Sequence, residues 1–353
     1  MKGLRKYLSP FAPDQSGAAA VFCELGGLVI ILDAGGCAGN ICGFDEPRWF
    51  DSKSAIFSAG LRDMDAILGR DDRLVKKIGM ACEKIKGEFI AVIGTPVPAV
   101  IGTDYNALKR MIEKKTNIPA IAVDTNGMEL YDAGIRKAYL ELFRTFMAQG
   151  SDPAVKAFGH LGILGATPLD AAGADGEQKI KEYYRRQGWK EVCTYGMGDG
   201  LSAVARASQA QKNIVIAPSG LAVARWMEQN YGIPYEIGYP VCTLPDWGNI
   251  LENTLREKRQ KILIVHQQVL ADNMRRELTT QTDAEIHIAS WFGLEPEIGQ
   301  KGDIVLKEED QWIELVKEEK YDVIIGDPLF QKALPDYQGV YCGLPHFAVS
   351  GKR

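Results

Sequence analysis

The residues best suited to carry chemistry lie together in Asp33-Ala34-Gly35-Gly36-Cys37-Ala38-Gly39-Asn40-Ile41-Cys42-Gly43. Two thiols stand five residues apart among four glycines. Thiolates are the ligands that a soft metal ion or a metal cluster takes, and glycine lets the backbone come close to such a group. Gly35 and Gly36 are therefore read as a cradle, with Cys37 and Cys42 as cofactor and metal ligands. The bland alternative is a pair of buried thiols in a tight turn. The segment follows Leu28-Val29-Ile30-Ile31-Leu32, an unbroken β signal, so the loop is expected to leave the end of a strand.

The other candidates are more dispersed. Cys23 closes the apolar run Gly17-Ala18-Ala19-Ala20-Val21-Phe22; core packing is its expected role, and it is the reserve metal ligand because its helix leads into the same strand. Cys82, Cys193, Cys242 and Cys342 are scattered singly and read as small core residues. The four histidines show no metal-ligand spacing. His266 ends a predicted strand and His346 follows Pro345, which makes these two the candidates for proton delivery or axial ligation, with packing as the alternative. Glu46 and Arg48 are read either as substrate or interface contacts or as parts of a capped turn anchored by Trp49. Gly196-Met197-Gly198-Asp199-Gly200 is either an anion cradle or a plain strand-to-helix turn. Neither a phosphate-binding G-x-x-x-x-G-K-[ST] motif nor a G-x-S-x-G nucleophile motif occurs.

These residues need a scaffold, and the pattern supplies one. Short Val/Ile runs alternate with helical periodicity along most of the chain, which predicts an α/β protein with parallel sheets. Expected strands include Leu28–Leu32, Phe89–Ile93, Ala120–Val123, Leu161–Leu164, Glu191–Tyr195, Asn213–Ala217, Lys261–His266, Ala284–Ala289 and Val323–Ile325. Expected helices include Tyr105–Lys115, Ala133–Met147, Ser202–Gln211 and Leu221–Tyr231. Gly150-Ser151-Asp152-Pro153 and the charged run from Arg256 to Lys261 suggest three units, 1–152, 153–255 and 256–353. Ligands in such folds sit outside the carboxyl ends of strands, where the interesting loops lie.

Bulk composition narrows the function classes. The 353 residues are 46% hydrophobic and 25% charged, ordinary for a globular protein. A net charge of -5 and the lack of a long basic run argue against nucleic acid and anionic membrane as partners. No apolar run is long enough to span a bilayer, no signal peptide is read, and the seven cysteines form no regular disulfide framework, so a reducing cytoplasmic setting is expected.

The order of motifs resembles a known family. Ser16-Gly17-Ala18-Ala19-Ala20, then the strand Leu28 to Leu32, then Gly35-Gly36-Cys37-Ala38-Gly39 is similar to the N-terminal part of nitrogenase component 1 proteins. Phe89 to Asp104 is similar to the family's strand, loop and Gly-Asp turn, and Ala210 to Ala217 with Tyr231 to Tyr235 resembles its middle domain. The resemblance implies three Rossmann-like parallel-sheet domains around a central cleft. It implies an iron–sulfur cluster of the [4Fe–4S] type at a subunit interface. A two-fold dimer would bring Cys37 and Cys42 of each chain to the axis and make up four ligands. It further implies an ATP-dependent iron–sulfur reductase as electron donor, a homodimer or a heterodimer with a paralogue, and reduction of a small molecule or tetrapyrrole. Alternatives within the same resemblance are a cofactor-assembly scaffold and a non-redox tetrapyrrole or metal-chelate binding module. The departures are specific. The family's first thiol should lie just before Gly17, where Pro13-Asp14-Gln15 stands; the third should fall near Pro96; and the nitrogenase catalytic-cofactor cysteine should fall near Ala217.

Overall fold

The computed structural model describes residues 5–62, 69–147, 157–170, 175–245, 247–256 and 261–351. Within them, the strands are β1 (Leu28–Ile31), β2 (Ala55–Ser58), β3 (Ile90–Ile93), β4 (Ala120–Val123), β5 (His160–Leu164), β6 (Glu191–Thr194), β7 (Lys212–Val215), β8 (Tyr235–Ile237), β9 (Lys261–Val265), β10 (Glu285–Ser290), β11 (Ile304–Val305), β12 (Val323–Gly326) and β13 (Val340–Gly343). They form three sheets, ordered β2-β1-β3-β4, β6-β5-β7-β8 and β11-β10-β9-β12-β13. Every paired strand runs parallel to its neighbour. The α/β architecture of parallel sheets expected from the sequence is the one observed.

The strand sequences explain the layers. In β1, Val29 and Ile31 join the main core while Leu28 and Ile30 join a second cluster with Leu74, Ile78, Leu108 and Ile112. Side chains alternate across the sheet, so a strand apolar on both faces must be covered on both faces. The main core runs on without a break through residues of all three sheets. Helices Asp14–Phe22 and Tyr131–Phe146 cross unusually closely. A Cβ on Gly17 would stand 1.9 Å from the Tyr131 carbonyl oxygen, and one on Gly134 would stand 1.7 Å from that of Asp14. This is the reason for the small-residue run that the first helix carries.

Each sheet has a switch point, where successive strands are added on opposite sides. These lie between β1 and β3, between β5 and β7, and between β9 and β12. The loops that leave such a pair diverge and open a crevice. Cys37 and Thr95 come after the first pair, Asp170 and Ser219 after the second, and His266 and Asp327 after the third.

Several elements differ from expectation. The Cys37 segment is not an open loop: Gly36–Asn40 is a short helix that runs into a π-turn, Ile41–Asp45. Gly35 makes the turn into it at φ 123°, a left-handed value that favours glycine. Pro96–Ile101, expected as part of a loop, is also a short helix. Proline is compatible with a first helical turn, whose N–H groups have no intrahelical partner. Ser202–Gln211 is shorter than expected, helical over Leu201–Ala205 and then a separate 3₁₀ turn. The boundary expected at 152/153 lies outside the described residues. Residues near the N-terminus reach across to the C-terminal sheet's unit: Glu309 accepts from the backbone N–H groups of Lys6, Tyr7 and Leu8, and Phe11 packs edge-on against Trp291 and Phe330.

Candidate functional site

Asp33 stands just past the end of β1 and organises the thiol segment. It is buried, and its carboxylate accepts from the Ala38 N–H at 2.7 Å and from the Ser58 hydroxyl at 2.6 Å. That holds the Gly36–Asn40 helix against the sheet. Asp45 closes the far end by accepting from Ser16 Oγ at 2.6 Å and Asn40 Nδ2 at 2.6 Å. Cys37 and Cys42 are each half-buried. Burial and the carboxylates around them push both thiols up; Cys42, beside Glu46 and Asp33, reaches about 11. Neither is primed as a free nucleophile, since at neutral pH both hold their protons. A bound cation would reverse that preference and make them thiolates.

The crevice has a second property. Gln15 and Thr95 are polar neighbours of the Cys37 thiol that work against the upward push of burial. Gln15 comes from the first helix and Thr95 from the end of β3, the neighbourhoods in which the family pattern has its other two thiols. Three segments therefore converge on Cys37, but two carry neutral polar groups. Asp14, in the neighbourhood of the missing first thiol, is buried, and its carboxylate is taken up by the N–H groups of Gln15, Asn126 and Gly127 at 2.8, 2.8 and 2.7 Å. Cβ atoms built on Gly35, Gly36, Gly39 and Gly43 would meet nothing within 4 Å, so the segment faces open space. Phe44, Val100 and Met128 are exposed at 75%, 86% and 84%. A cavity of about 710 Å³ lies alongside, between Phe44 and Asp45 on one wall and Phe347 and Ser350 on the other.

The remaining loop candidates are used within the fold. Cys23 is fully buried, contacts Ser52 Oγ at 3.3 Å, and is pushed up to about 12 by burial. Arg48 pairs with Glu46 at 2.7 Å and donates to the carbonyls of Ala20 at 2.7 Å and Gly196 at 3.0 Å. Glu46 and Arg48 thus tie their turn to the first helix and to the middle sheet's Gly196 loop. The Gly196–Gly200 turn does hold an anion, but it is the chain's own Glu24, which accepts from the Gly198 N–H. Asp104 caps its helix through the Ala107 N–H at 2.9 Å.

The switch points of the middle and C-terminal sheets meet in the interior. His266 and His346, eighty residues apart in sequence, stack with ring centroids 4.2 Å apart and planes at 15°. His346 Nε2 is 3.0 Å from Tyr131 Oη and 3.6 Å from Asp170 Oδ1, and Tyr131 donates to Asp170. The His346 N–H donates to Asp327 at 2.7 Å. Burial and the neighbouring His346 hold His266 neutral, well below the usual imidazole range. Burial, then the Asp170 carboxylate, pushes Asp132 up to about 7. Thr167, Ser219, His266, Gln267 and His346 are all 2% exposed or less. Ala217 lies among them, buried and without a ligand atom.

Among the described residues, a set of three His, Cys, Asp or Glu side chains whose ligand atoms draw close forms at His160, Glu191 and Cys193, within 4.8 Å of one another. This group could hold a metal ion. Cys23, Cys37 and Cys42 of one chain do not form such a set. The residues present therefore do not fit a four-thiolate cluster held by one chain alone.

Comparison with known proteins agrees with this fold. Residues 14–242 match the family model described as nitrogenase component 1 type oxidoreductase. Among curated proteins, the chain is 27% identical over 182 residues to the nitrogenase iron-molybdenum cofactor biosynthesis protein NifE of Bradyrhizobium diazoefficiens, covering 51% of this chain and 32% of that protein. It is 22% identical over 213 residues to NifE of Methanosarcina barkeri, covering 57% and 45%. It is 28% identical over 182 residues to NifE of Clostridium pasteurianum, covering 51% and 38%. The matches thus span less than half the length of these relatives. The solved structure of nitrogenase Cp1 at pH 5 superposes with a TM-score of 0.71 at 16% identity, over 98% of this chain and 85% of that one. Cp1 at pH 6.5 gives 0.67 at 14% identity, over 98% and 86%. No described helix is long and apolar enough to cross a membrane.

Proposed function

The chain belongs to the nitrogenase component 1 type oxidoreductase family, and from that premise we propose that it holds a metal–sulfur cofactor or its precursor as an assembly scaffold. The observation that carries this reading is the contrast between an open crevice that holds thiols and an interior histidine centre that holds none. Cys37 and Cys42 are accessible beside open space. The interior position in which a catalytic cofactor would need a thiol is Ala217, which carries no ligand atom, and the groups near it are buried imidazoles and hydroxyls. A reductase needs a place for substrate there, whereas a scaffold needs only an exchangeable site. The NifE proteins, named for cofactor biosynthesis, support the same reading.

In this reading Cys37 and Cys42 supply two ligands to a [4Fe–4S]-type cluster, with Gly35 and Gly36 beside it. A second copy or a paralogue supplies the rest, and Cys23 stays in the core. When bound, the cluster supplies one-electron chemistry and bridging sulfide. The chain's own residues orient it: Asp33 fixes the helix that bears Cys37, while Gln15 and Thr95 offer hydrogen bonds to sulfur. Exposed Phe44, on the wall of the neighbouring cavity, gives this side an apolar surface of the kind a subunit interface covers. An ATP-dependent iron–sulfur reductase is the expected electron donor, and a cytoplasmic setting suits this chemistry. The division into units 1–152, 153–255 and 256–353 is kept, because each sheet is built from one consecutive stretch of chain.

The test is transfer. Protein loaded with iron and sulfide under anaerobic conditions should pass its cluster to an apo acceptor protein without turning over a substrate. Oxidation of the reduced cluster that depends on an added small molecule or tetrapyrrole would instead restore the catalytic reading.

A further inference from the structure

The middle sheet carries a second group of donors at the end opposite its switch point. His160 opens β5 and is the register partner of Glu191, which opens β6. Cys193 lies two residues on from Glu191 and is the partner of Gly162. Register partners in a parallel sheet share a face, and so do residues two apart. The fold thus sets an imidazole, a carboxylate and a thiol on one surface. Cys193 Sγ is 3.7 Å from Glu191 Oε1, and all three ligand atoms lie within 4.8 Å of one another.

An independent observation marks the same patch. His160 is 2% exposed, yet its Nε2 has no hydrogen-bond partner. On the same face, Tyr195 Oη and Asn213 Oδ1 are also buried and unpartnered. Both crowd the space left by Gly162, where a Cβ would stand 2.2 Å from Asn213 Oδ1 and 3.1 Å from Tyr195 Oη. Buried polar atoms are nearly always satisfied by protein, water or an ion. Three without partners around one glycine, beside a thiol and a carboxylate, amount to a polar site that the protein alone does not complete. Glu191 provides the way in: it is exposed, and the cation that competes for it among the described residues is Arg206, 3.5 Å away and itself half-exposed.

We propose that His160 Nε2, Glu191 and Cys193 Sγ form a binding site for a borderline-soft divalent transition ion, Zn²⁺ being the best match to the mixed N, O, S set. Three protein ligands leave a fourth position open, so the ion is exchangeable. On binding, Cys193 releases its thiol proton to solvent, and no redox step is involved. The site is separate from Cys37 and Cys42, which lie beyond the carboxyl end of a strand in another sheet.

The experiment is a Co²⁺ titration of full-length, chelator-stripped protein carrying Cys37→Ala and Cys42→Ala, so that the thiol crevice cannot contribute. One equivalent of Co²⁺ should bind with a thiolate-to-cobalt charge-transfer band that Zn²⁺ displaces. Cys193→Ser should abolish the band. Glu191→Gln, at an exposed position that leaves folding intact, should weaken binding by more than the roughly 10–100-fold that loss of an outer-shell partner costs. A band that survives Cys193→Ser, no thiolate band at all, or unchanged affinity in Glu191→Gln would each overturn the proposal.

Discussion

The thiol crevice and the histidine centre occupy equivalent places, each at a switch point of a parallel sheet, yet they have opposite characters. In the crevice, donors face outward: Cys37 and Cys42 are half-buried, and side chains built on the glycines beside them would touch nothing. At the centre, polar groups are buried: Tyr131, Asp170 and His346 are linked by short contacts, and His266 stacks on His346. The same topology thus yields one site that opens outward and one that joins the sheets of a single chain. The difference lies in the residues at the carboxyl end of each strand. Small residues after β1 leave a gap, whereas imidazole, hydroxyl and carboxamide groups after β5, β7, β9 and β13 fill theirs.

If the centre holds the units together, its residues should dominate stability while those of the crevice do not. His346→Ala removes a buried ring that stacks and accepts or donates a hydrogen bond, so unfolding in urea should show a loss of about 2–4 kcal/mol. Tyr131→Phe leaves Asp170 without its donor and should cost about 1–3 kcal/mol in the same assay. If either variant is as stable as the parent, the centre is not the joint described here.

Asp132 sharpens the contrast through pH. Its carboxyl is raised to about 7 in the folded state, so folding favours the protonated form. That contribution is fully present below the unfolded carboxyl value near pH 4 and is lost as pH rises through about 7. His266 has the opposite sign: folding holds it neutral, so its contribution is lost as pH falls below about 6.5. The difference between parent and Asp132→Asn isolates the carboxyl group. Between about pH 5 and about pH 8 that difference should change by roughly 1–3 kcal/mol, with the parent losing ground as pH rises. A flat difference would mean that Asp132 is not held protonated. Smallest of all, Cys37→Ala and Cys42→Ala should each alter stability by less than about 1 kcal/mol in metal-free protein, since neither thiol is fully buried.

Much of this is legible in the sequence, and the failures have physical causes. Leu28–Leu32 and Lys261–His266 announce buried strands because every residue is apolar or nearly so. Ala55–Ser58, Tyr235–Ile237 and Ile304–Val305 do not, because edge strands only partly buried carry weak patterns. Cys37 and Cys42 stand out through glycine spacing, but the sequence marks the neighbourhoods of Gln15 and Thr95 only as places where thiols are missing. His266 and His346 can each be placed at a strand end, yet their stacking depends on two sheets meeting. His160, Glu191 and Cys193 look like isolated residues along the chain. Their common signal is strand register, and the only sequence trace is the two-residue spacing of Glu191 and Cys193.

The central claim is that Cys37 and Cys42 furnish half the ligands of a cluster completed across an interface. Anaerobic purification, followed by iron and acid-labile sulfide determination and EPR of the reduced protein, tests it directly. About four irons per two chains, lost in Cys37→Ala and in Cys42→Ala alike, is the predicted result. A cluster of about four irons in every chain, or one that persists when both thiols are removed, would contradict it.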